Sequence, residues 1–347
     1  MGLFNRISTS DSLEKALKKK RGNDTLSDKT VKKLTEKIQS ASRDARLVGY
    51  NQVLIDGKYS KVQDKIKDVF RDALLNDSLD FIGKQIDNNL QPDLDTNFID
   101  EIYLPLIIDS IRKKRQGANL YYFDDLNCLF SKALAGQIGN RAQAVVHMRK
   151  KADISQPHFS AVEYIKDKGK DFFIFYEPAH LSGGNEAGVD YGFNRLNEIF
   201  KVLSKRYSNL RVGFVEVGIQ SSEADCGIFS LAFANTLSKL PHISQFAIGK
   251  LVYPTITQFY HVNSNARKER HKIGVSLEPT LIKHAHSINK LRLNIERNNG
   301  MDKDLKQEVY NRATKYAVTR DERTYSNSIE LKRQAFFNKH LKSRLDN

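Results

Sequence analysis

The sequence predicts an α+β domain with a mixed sheet, and three observations support this class. Helical apolar spacing occupies the first third of the chain, strand-like segments fill the middle, and an apolar helix follows the last of these strands. The 347 residues, 40% of them hydrophobic, suffice for one large or two small domains. Only two cysteines are present, Cys128 and Cys226, which excludes a disulfide framework and a four-thiolate zinc site.

The helical part precedes residue 118. Residues 1–45 are polar and basic and predict a flexible leader with one polar helix at 27–38. Helical spacing then covers 62–86 and 98–115, and Pro105 predicts a kink or a break in the second helix. We assign residues 46–117 to a helical N-terminal flank.

The strands lie within a core at residues 118–262, and a basic, largely helical segment follows at 263–347. The expected strands are 120–123, 145–148, 158–165, 170–177 and 210–219, and the expected helices are 193–203 and 226–237. The four residues between 165 and 170 end in glycine and predict a hairpin.

Positive charge is concentrated at both ends of the chain. The formal net charge is +15; residues 1–50 hold 12 Lys and Arg against 6 Asp and Glu, and residues 261–347 hold 19 against 10. This excess predicts a polyanionic partner: nucleic acid, anionic lipid or a polyphosphate. No run approaches the length of a membrane span, and the first residues lack the apolar core of a secretory signal, so neither integral membrane association nor a cleaved signal is expected.

The predicted hairpin pairs a histidine with a carboxylate. With a four-residue turn, His158 lies directly opposite Glu177 and their Cβ atoms are about 5 Å apart. An imidazole held by a carboxylate is the base and its orienting group in a nucleophilic triad. A surface cross-strand pair is the alternative interpretation, and a register slip of one residue would separate the two side chains.

Cys226 is the candidate nucleophile. It starts the apolar helix after a polar loop, and a helix N-terminus and a nearby imidazolium both favour a thiolate. Gln220, six residues earlier, carries an amide that can donate to an oxyanion. The alternative is that a buried cysteine serves as a small hydrophobic residue, which is our interpretation of Cys128. The order His158, Glu177, Gln220, Cys226 predicts covalent catalysis by a thiol.

Three blocks around these residues resemble the motifs of the YopJ-family effectors. The blocks are His158-Phe159-Ser160-Ala161-Val162, Phe175-Tyr176-Glu177-Pro178-Ala179, and Ile219-Gln220-Ser221-Ser222 continuing to Asp225-Cys226-Gly227-Ile228-Phe229-Ser230. The family comprises bacterial serine/threonine and lysine acetyltransferases that type III secretion delivers into host cells. The resemblance covers about residues 98–262.

The resemblance implies a cysteine-protease-like fold of the ubiquitin-like-protease type, with a regulatory module built from both flanks. It implies that His158 is the general base, Glu177 its orienting group, and Cys226 the nucleophile that accepts an acetyl group from acetyl-CoA. It further implies that Ser221 and Ser222 contact CoA and that no metal ion is needed.

The resemblance also implies activation by inositol hexakisphosphate bound to the regulatory module. A compact polyanion would explain two basic flanks, because it can join them. The candidate ligands are Lys113, Lys114 and Arg115 on one side and Arg312, Lys332 and Arg333 on the other. The lysine that self-acetylates in the family is replaced by His261, which would move that modification to Lys268 or Lys272.

The partners that the resemblance implies are host proteins of signalling, the cytoskeleton or immunity, which would accept the acetyl group in the host cell cytoplasm. A type III secretion chaperone is a further partner that the resemblance implies, and no nucleic-acid partner is expected.

Two other function classes stay open. A cysteine protease that deconjugates ubiquitin-like proteins shares this residue order, but such proteases typically have a tryptophan after the histidine and an aspartate as the acid. This chain has Phe159, Glu177 and no tryptophan. A non-enzymatic binder of nucleic acid or another polyanion would use the basic runs 18–21 and 112–115, which lack interleaved aromatic residues.

Overall fold

A computed structural model describes residues 28–55, 63–148, 157–179, 187–240, 242–253, 255–261, 272–275, 277–297, 302–320 and 323–342. The elements in chain order are α1 (Asp28–Ser40), α2 (Arg43–Ile55), α3 (Gln63–Asp87), α4 (Leu94–Lys114), β1 (Leu120–Phe123), α5 (Leu126–Leu134), β2 (Arg141–His147), β3 (Phe159–Asp167), β4 (Lys170–Glu177), α6 (Ala187–Leu203), β5 (Leu210–Glu216), α7 (Cys226–Leu237), α8 (Gln245–Ile248), β6 (Ile256–His261), β7 (Lys272–Val275), α9 (Pro279–Ile282), α10 (Ile288–Arg297), α11 (Lys303–Lys315), β8 (Ala317–Arg320), β9 (Arg323–Ser326) and α12 (Ser328–Leu341).

The first seven strands form one mixed sheet in chain order. β3 pairs antiparallel with both of its neighbours, β2 and β4, and the remaining neighbouring pairs are parallel. Side chains alternate across β4, so that Phe173 and Phe175 face α5 and α6 whereas Ile174 and Tyr176 face the opposite core. The α+β class with a mixed sheet is thus confirmed.

α7 is the central helix of that second core. It is apolar on all sides, and it packs against β2, β3 and β4 and against α4 and α12. Because α4 precedes the sheet and α12 ends the chain's described part, the two flanks meet at this helix. No helix in the ranges described above is long and apolar enough to cross a membrane.

The β3–β4 hairpin closes on two residues instead of the predicted four. Lys168 and Gly169 have φ angles of 47° and 74°, which a type I′ turn requires, and Asp167 pairs with Lys170. The predicted register is therefore wrong by two residues, and the observed register, continued by one pair, sets Ser160 opposite Glu177. A shift of two keeps the same face, so His158 still approaches Glu177, but diagonally.

The N-terminal flank helices lie close to their predicted positions, whereas the C-terminal segment, predicted as largely helical, also contains the strands β7, β8 and β9. α4 passes through Pro105 without a break because fully buried Leu104 and Ile107 fix the adjoining turn. α1 covers most of the helix predicted at 27–38, and its Leu34 and Ile38 are buried in the core next to α3. The rest of the predicted leader, 1–27, lies outside the described residues, and the domain boundaries at 45, 117 and 262 stay predictions.

Candidate active site

The thiol of Cys226 is buried at the first residue of α7. Its side chain lies between the residues just before β3 and the first turn of α4: Sγ is 3.5 Å from Asn97 Oδ1 and 3.7 Å from the carbonyl oxygen of Pro157. Cys226 is 2% exposed. The predicted nucleophile thus sits where two separate elements meet the start of an apolar helix.

His158 and Glu177 form a buried hydrogen-bonded pair. His158 Nε2 lies 2.9 Å from Glu177 Oε2, which also accepts a hydrogen bond from Ser160 Oγ at 2.7 Å. The backbone N–H of Ala179 donates to the other carboxylate oxygen at 3.2 Å. These bonds fix the carboxylate on both oxygens, and the carboxylate in turn fixes the imidazole ring.

The charge of Glu177 controls the protonation of His158. Burial alone would lower the pKa of His158, but the Glu177 carboxylate and a hydrogen bond to Cys226 outweigh burial and raise that pKa well above its usual value near 6.5. The Glu177 carboxylate therefore makes His158 a stronger base than a free imidazole.

Gln220 and the loop after it are braced internally. Gln220 Nε2 donates to the carbonyl oxygen of Ser222 at 2.6 Å, which leaves its second N–H for another acceptor such as an oxyanion. Ser222 Oγ donates to Asp225 Oδ2, and the exposed Ser221 is held by its backbone N–H, which donates to His286 Nδ1 at 2.8 Å. Of the two serines predicted to contact CoA, Ser221 is exposed to solvent, whereas Ser222 is buried and its hydroxyl is bonded to Asp225.

Arg333 is used inside the protein, which corrects its assignment to the polyphosphate. It is 1% exposed, and its guanidinium bonds both oxygens of Asp100 at 2.9 and 3.0 Å, the carbonyl oxygen of Ala224 at 3.1 Å, and Asp225 at 2.7 Å. Burial would raise the pKa of Asp225, but Arg333 and His286 outweigh it and lower that pKa. A side chain with these partners cannot bind a ligand.

Asp225, His286 and Glu330 bring three potential metal ligands within 4.8 Å of one another. Arg333 already pairs with Asp225, and Arg320 lies 3.2 Å from Glu330. Two guanidinium groups at these carboxylates oppose a further divalent cation, so the cluster is explained as an internal charge network.

A basic cavity of about 210 Å³ lies between α7, α9 and α12. Phe229 and Phe233 contribute apolar lining, and the polar lining includes Lys239, Lys283, His284 and Lys332. Of these, Lys332 alone was predicted to bind the polyphosphate. Lys239, Lys283 and His284 lie outside the basic runs of the sequence, so no sequence pattern indicated them.

The cations around this cavity repel one another. The pKa of Lys332 is lowered mainly by burial and next by the charge of Lys283. The pKa of Lys283 is lowered mainly by burial and next by the charge of Arg312. His284 has its pKa lowered to about 3 by burial and by Lys283. The predicted residue Arg312 thus acts on the cavity through its charge.

The other predicted polyphosphate ligands do not line this cavity, although Arg115 contacts Asn235, which does. Lys114 Nζ donates to the carbonyl oxygen of Lys339, and Arg115 donates to Asn235 Oδ1 and Ser238 Oγ. Lys113 is exposed and does not line the cavity. Lys268, one candidate for self-acetylation, lies outside the described residues.

Comparison with known proteins identifies relatives of one kind. A family model described as YopJ serine/threonine acetyltransferase matches residues 75–339. The serine/threonine-protein acetyltransferase YopJ of Yersinia pestis is 34% identical over 80 residues, which span 23% of this chain and only about a quarter, 26%, of that relative.

Solved structures match over most of the chain. AvrA, as a deletion variant with IP6 and CoA, is 21% identical with a TM-score of 0.59, covering 78% of this chain and 98% of that one. HopZ1a in complex with IP6 is 15% identical with a TM-score of 0.60, covering 89% and 97%. HopZ1a with IP6 and CoA is 16% identical with a TM-score of 0.57, covering 78% and 97%. At these identities the likeness establishes the fold, and it confirms the one that the motifs implied.

Proposed function

Because this chain belongs to the YopJ serine/threonine acetyltransferase family, we propose that it transfers an acetyl group from acetyl-CoA to hydroxyl or amine side chains of proteins through an acetyl-Cys226 intermediate. The observation that carries this proposal is the buried, hydrogen-bonded pair of His158 and Glu177 beside Cys226, whose Sγ lies 3.7 Å from the carbonyl oxygen of the residue before His158. A thiol, a base and an orienting carboxylate are the groups that covalent acyl transfer requires.

In the first half-reaction His158 takes the thiol proton, and Cys226 Sγ attacks the thioester carbonyl carbon of acetyl-CoA. The bond between that carbon and the CoA sulfur then breaks, and the departing sulfur takes the proton back from His158. Glu177 stabilises the imidazolium between these two steps. The second N–H of Gln220 supports the oxyanion that forms on the carbonyl oxygen.

In the second half-reaction an acceptor hydroxyl or amine attacks the acetyl-cysteine. His158 removes the acceptor's proton and returns it to the sulfur, which leaves as the thiol of Cys226. The acceptor oxygen or nitrogen keeps the acetyl group, and the enzyme is restored. Every proton passes through one histidine, so no metal ion has a role in either half.

We assign the basic cavity to inositol hexakisphosphate, with Lys239, Lys283 and Lys332 as ligands and Arg312 contributing charge. Two observations support this: the cations repel one another until an anion is bound, and AvrA and HopZ1a were solved with IP6. The AvrA structure and one of the two HopZ1a structures also contain CoA, which supports the exposed Ser221 as a CoA contact.

We further propose that the acceptors are host signalling, cytoskeletal or immune proteins. The enzyme would reach the host cell cytoplasm by type III secretion, with residues 1–45 as the secretion segment and with a chaperone. Family membership supports this part of the proposal. The core at 118–262 would carry the chemistry, and the flanks at 46–117 and 263–347 would regulate it.

The test is an acceptor assay with labelled acetyl-CoA, with and without inositol hexakisphosphate. We expect label on protein that rises with the polyphosphate and is lost in Cys226→Ala. Cleavage of a ubiquitin-like conjugate, without any acetyl transfer by the folded protein, would overturn the proposal in favour of a deconjugating protease.

A further inference from the structure

We propose that Asn97 is a further active-site residue, whose side-chain oxygen accepts a hydrogen bond from the thiol of Cys226 and holds the resting nucleophile as a neutral thiol. The inference rests on the proposed function, since it takes Cys226 as the nucleophile. Asn97 comes from the first turn of α4, far from the motif blocks in sequence, and is 1% exposed. Its Oδ1 lies 3.5 Å from Cys226 Sγ, within reach of a sulfur hydrogen bond.

The orientation of the Asn97 amide is fixed by its other end. Asn97 Nδ2 donates to the carbonyl oxygen of Glu223 at 3.0 Å. Turning the amide over would set two acceptor oxygens against each other at Glu223, so the oxygen has to face the sulfur. The carbonyl oxygen of Pro157, 3.7 Å from Sγ, is a second acceptor for the thiol of Cys226.

The position of Asn97 is fixed by the turn that follows. Asp100 packs directly on the start of α7, where a Cβ added to Gly227 would lie 2.7 Å from Asp100 Oδ2. Arg333 then ties Asp100 to Asp225, the residue before the nucleophile. α4 is therefore anchored on both sides of Cys226, and Asn97 is held beside Sγ by buried contacts.

An acceptor at this place opposes the formation of the thiolate. A hydrogen bond from the S–H group stabilises the neutral form, whereas the sulfur anion would face the oxygens of Asn97 and Pro157 without a proton between them. His158 acts in the opposite direction, because it removes the same proton. Before attack the thiol has to give up its hydrogen bond to Asn97 so that its proton can move to the imidazole. A residue of the N-terminal flank therefore affects how easily Cys226 loses its proton.

The test compares two variants that both remove the hydrogen bond from Asn97 to Glu223. One variant removes the acceptor beside Cys226 Sγ, and the other strengthens it. Asn97→Leu keeps the size of the side chain and removes both polar groups, so Cys226 should react with iodoacetamide about three- to tenfold faster at neutral pH. Asn97→Asp keeps an acceptor and adds negative charge beside the sulfur, so the reaction should be slower by about threefold or more. Neither variant can donate to Glu223.

The measurement is the rate of alkylation at Cys226 in the full chain without acetyl-CoA, followed by peptide mass spectrometry. Cys128 in α5 belongs to the core on the opposite face of the sheet and is the internal reference, whose rate should stay at the wild-type value. If Asn97→Asp does not fold, the pH dependence of Asn97→Leu replaces it, and its rise in rate should occur at lower pH than in the wild type.

An Asn97→Leu variant that reacts no faster than the wild type would overturn the inference. So would two variants that shift in the same direction, since this would indicate loop support alone. Because the assay contains no acetyl donor, its failure would leave the acetyl-transfer proposal intact. Conversely, absent acetyl transfer with the expected alkylation pattern would remove the transferase proposal and keep the role of Asn97.

Discussion

At the residue scale, the proposed chemistry depends on side chains from three separate elements. His158 precedes β3, Glu177 ends β4, and Cys226 begins α7. The antiparallel hairpin joins the first two, and the packing of α7 on the sheet supplies the third. Their burial raises the effect of each charge on its neighbours, because little water is present to screen it.

Glu177→Gln tests the role of the carboxylate charge. Glutamine keeps the shape and can still accept from Ser160, but it removes the negative charge that raises the pKa of His158. We expect acetyl transfer to fall about 10²- to 10⁴-fold, with a lower pH for the histidine-dependent limb of the rate profile. Ser160→Ala, which removes one hydrogen bond and no charge, is the matched control and should cost far less. Equal losses in the two variants would contradict the charge argument.

The same pair predicts a pH dependence of stability. The pKa of His158 is raised in the folded protein, so its stabilising interaction with Glu177 is fully present below the unfolded value near 6.5 and is lost as pH rises through the raised pKa. Urea unfolding of the wild type and Glu177→Gln should therefore differ most below about pH 6.5. A difference that grew with increasing pH would have the wrong sign.

At the element scale, α12 faces two sites with adjacent residues. Lys332 lines the basic cavity, whereas Arg333 is buried against Asp100 and Asp225. One helix thus contacts both the proposed polyphosphate site and the charged residue that precedes the nucleophile, which makes the two positions a natural pair for comparison.

Arg333→Met should destabilise the protein strongly. It leaves the buried carboxylates of Asp100 and Asp225 without their cation, which typically costs about 3–5 kcal/mol. Lys332→Met, one residue earlier, removes a cation that its neighbours repel, so stability should be unchanged or higher. Denaturant unfolding of both variants measures this difference, and an equally stable Arg333→Met would contradict the buried network.

The hairpin shows what sequence can decide at this scale. β4 and α7 occupy the residues predicted for them because their apolar and aromatic runs have clear ends. The turn length was predicted wrongly because the four residues 166–169 are compatible with either a four-residue or a two-residue turn. The positive φ angles of Lys168 and Gly169 identify the two-residue turn. The pairing of His158 with Glu177 survived because an error of two residues preserves the face.

At the scale of the whole molecule, the two flanks come together around the central helix. α4 and α12 pack on each other and on α7, and the basic cavity lies beside them. The fold class followed from pattern, and the proposed triad and the proposed polyanion partner followed from order and charge. Asn97 and Lys283 did not, because their functional neighbours are distant in sequence and no local periodicity marks such a contact.

Polyphosphate binding should stabilise the folded chain. A ligand bound only by the folded state adds about 2.7 kcal/mol at a hundred times its Kd, so inositol hexakisphosphate should raise the Tm of the wild type. Lys283→Ala with Lys332→Ala should abolish most of the increase, whereas Lys113→Ala, exposed and outside the cavity, should keep it. A full increase in the double variant would place the ligand elsewhere.

The most direct test of the central claim is to identify the acetylated atom. The full chain is mixed with acetyl-CoA and inositol hexakisphosphate without an acceptor, quenched in acid, and digested, and the peptide that contains Cys226 is analysed by mass spectrometry. Our account predicts one acetyl group on that cysteine, which disappears when an acceptor protein is added. Acetylation of the acceptor that persists in Cys226→Ala would contradict it.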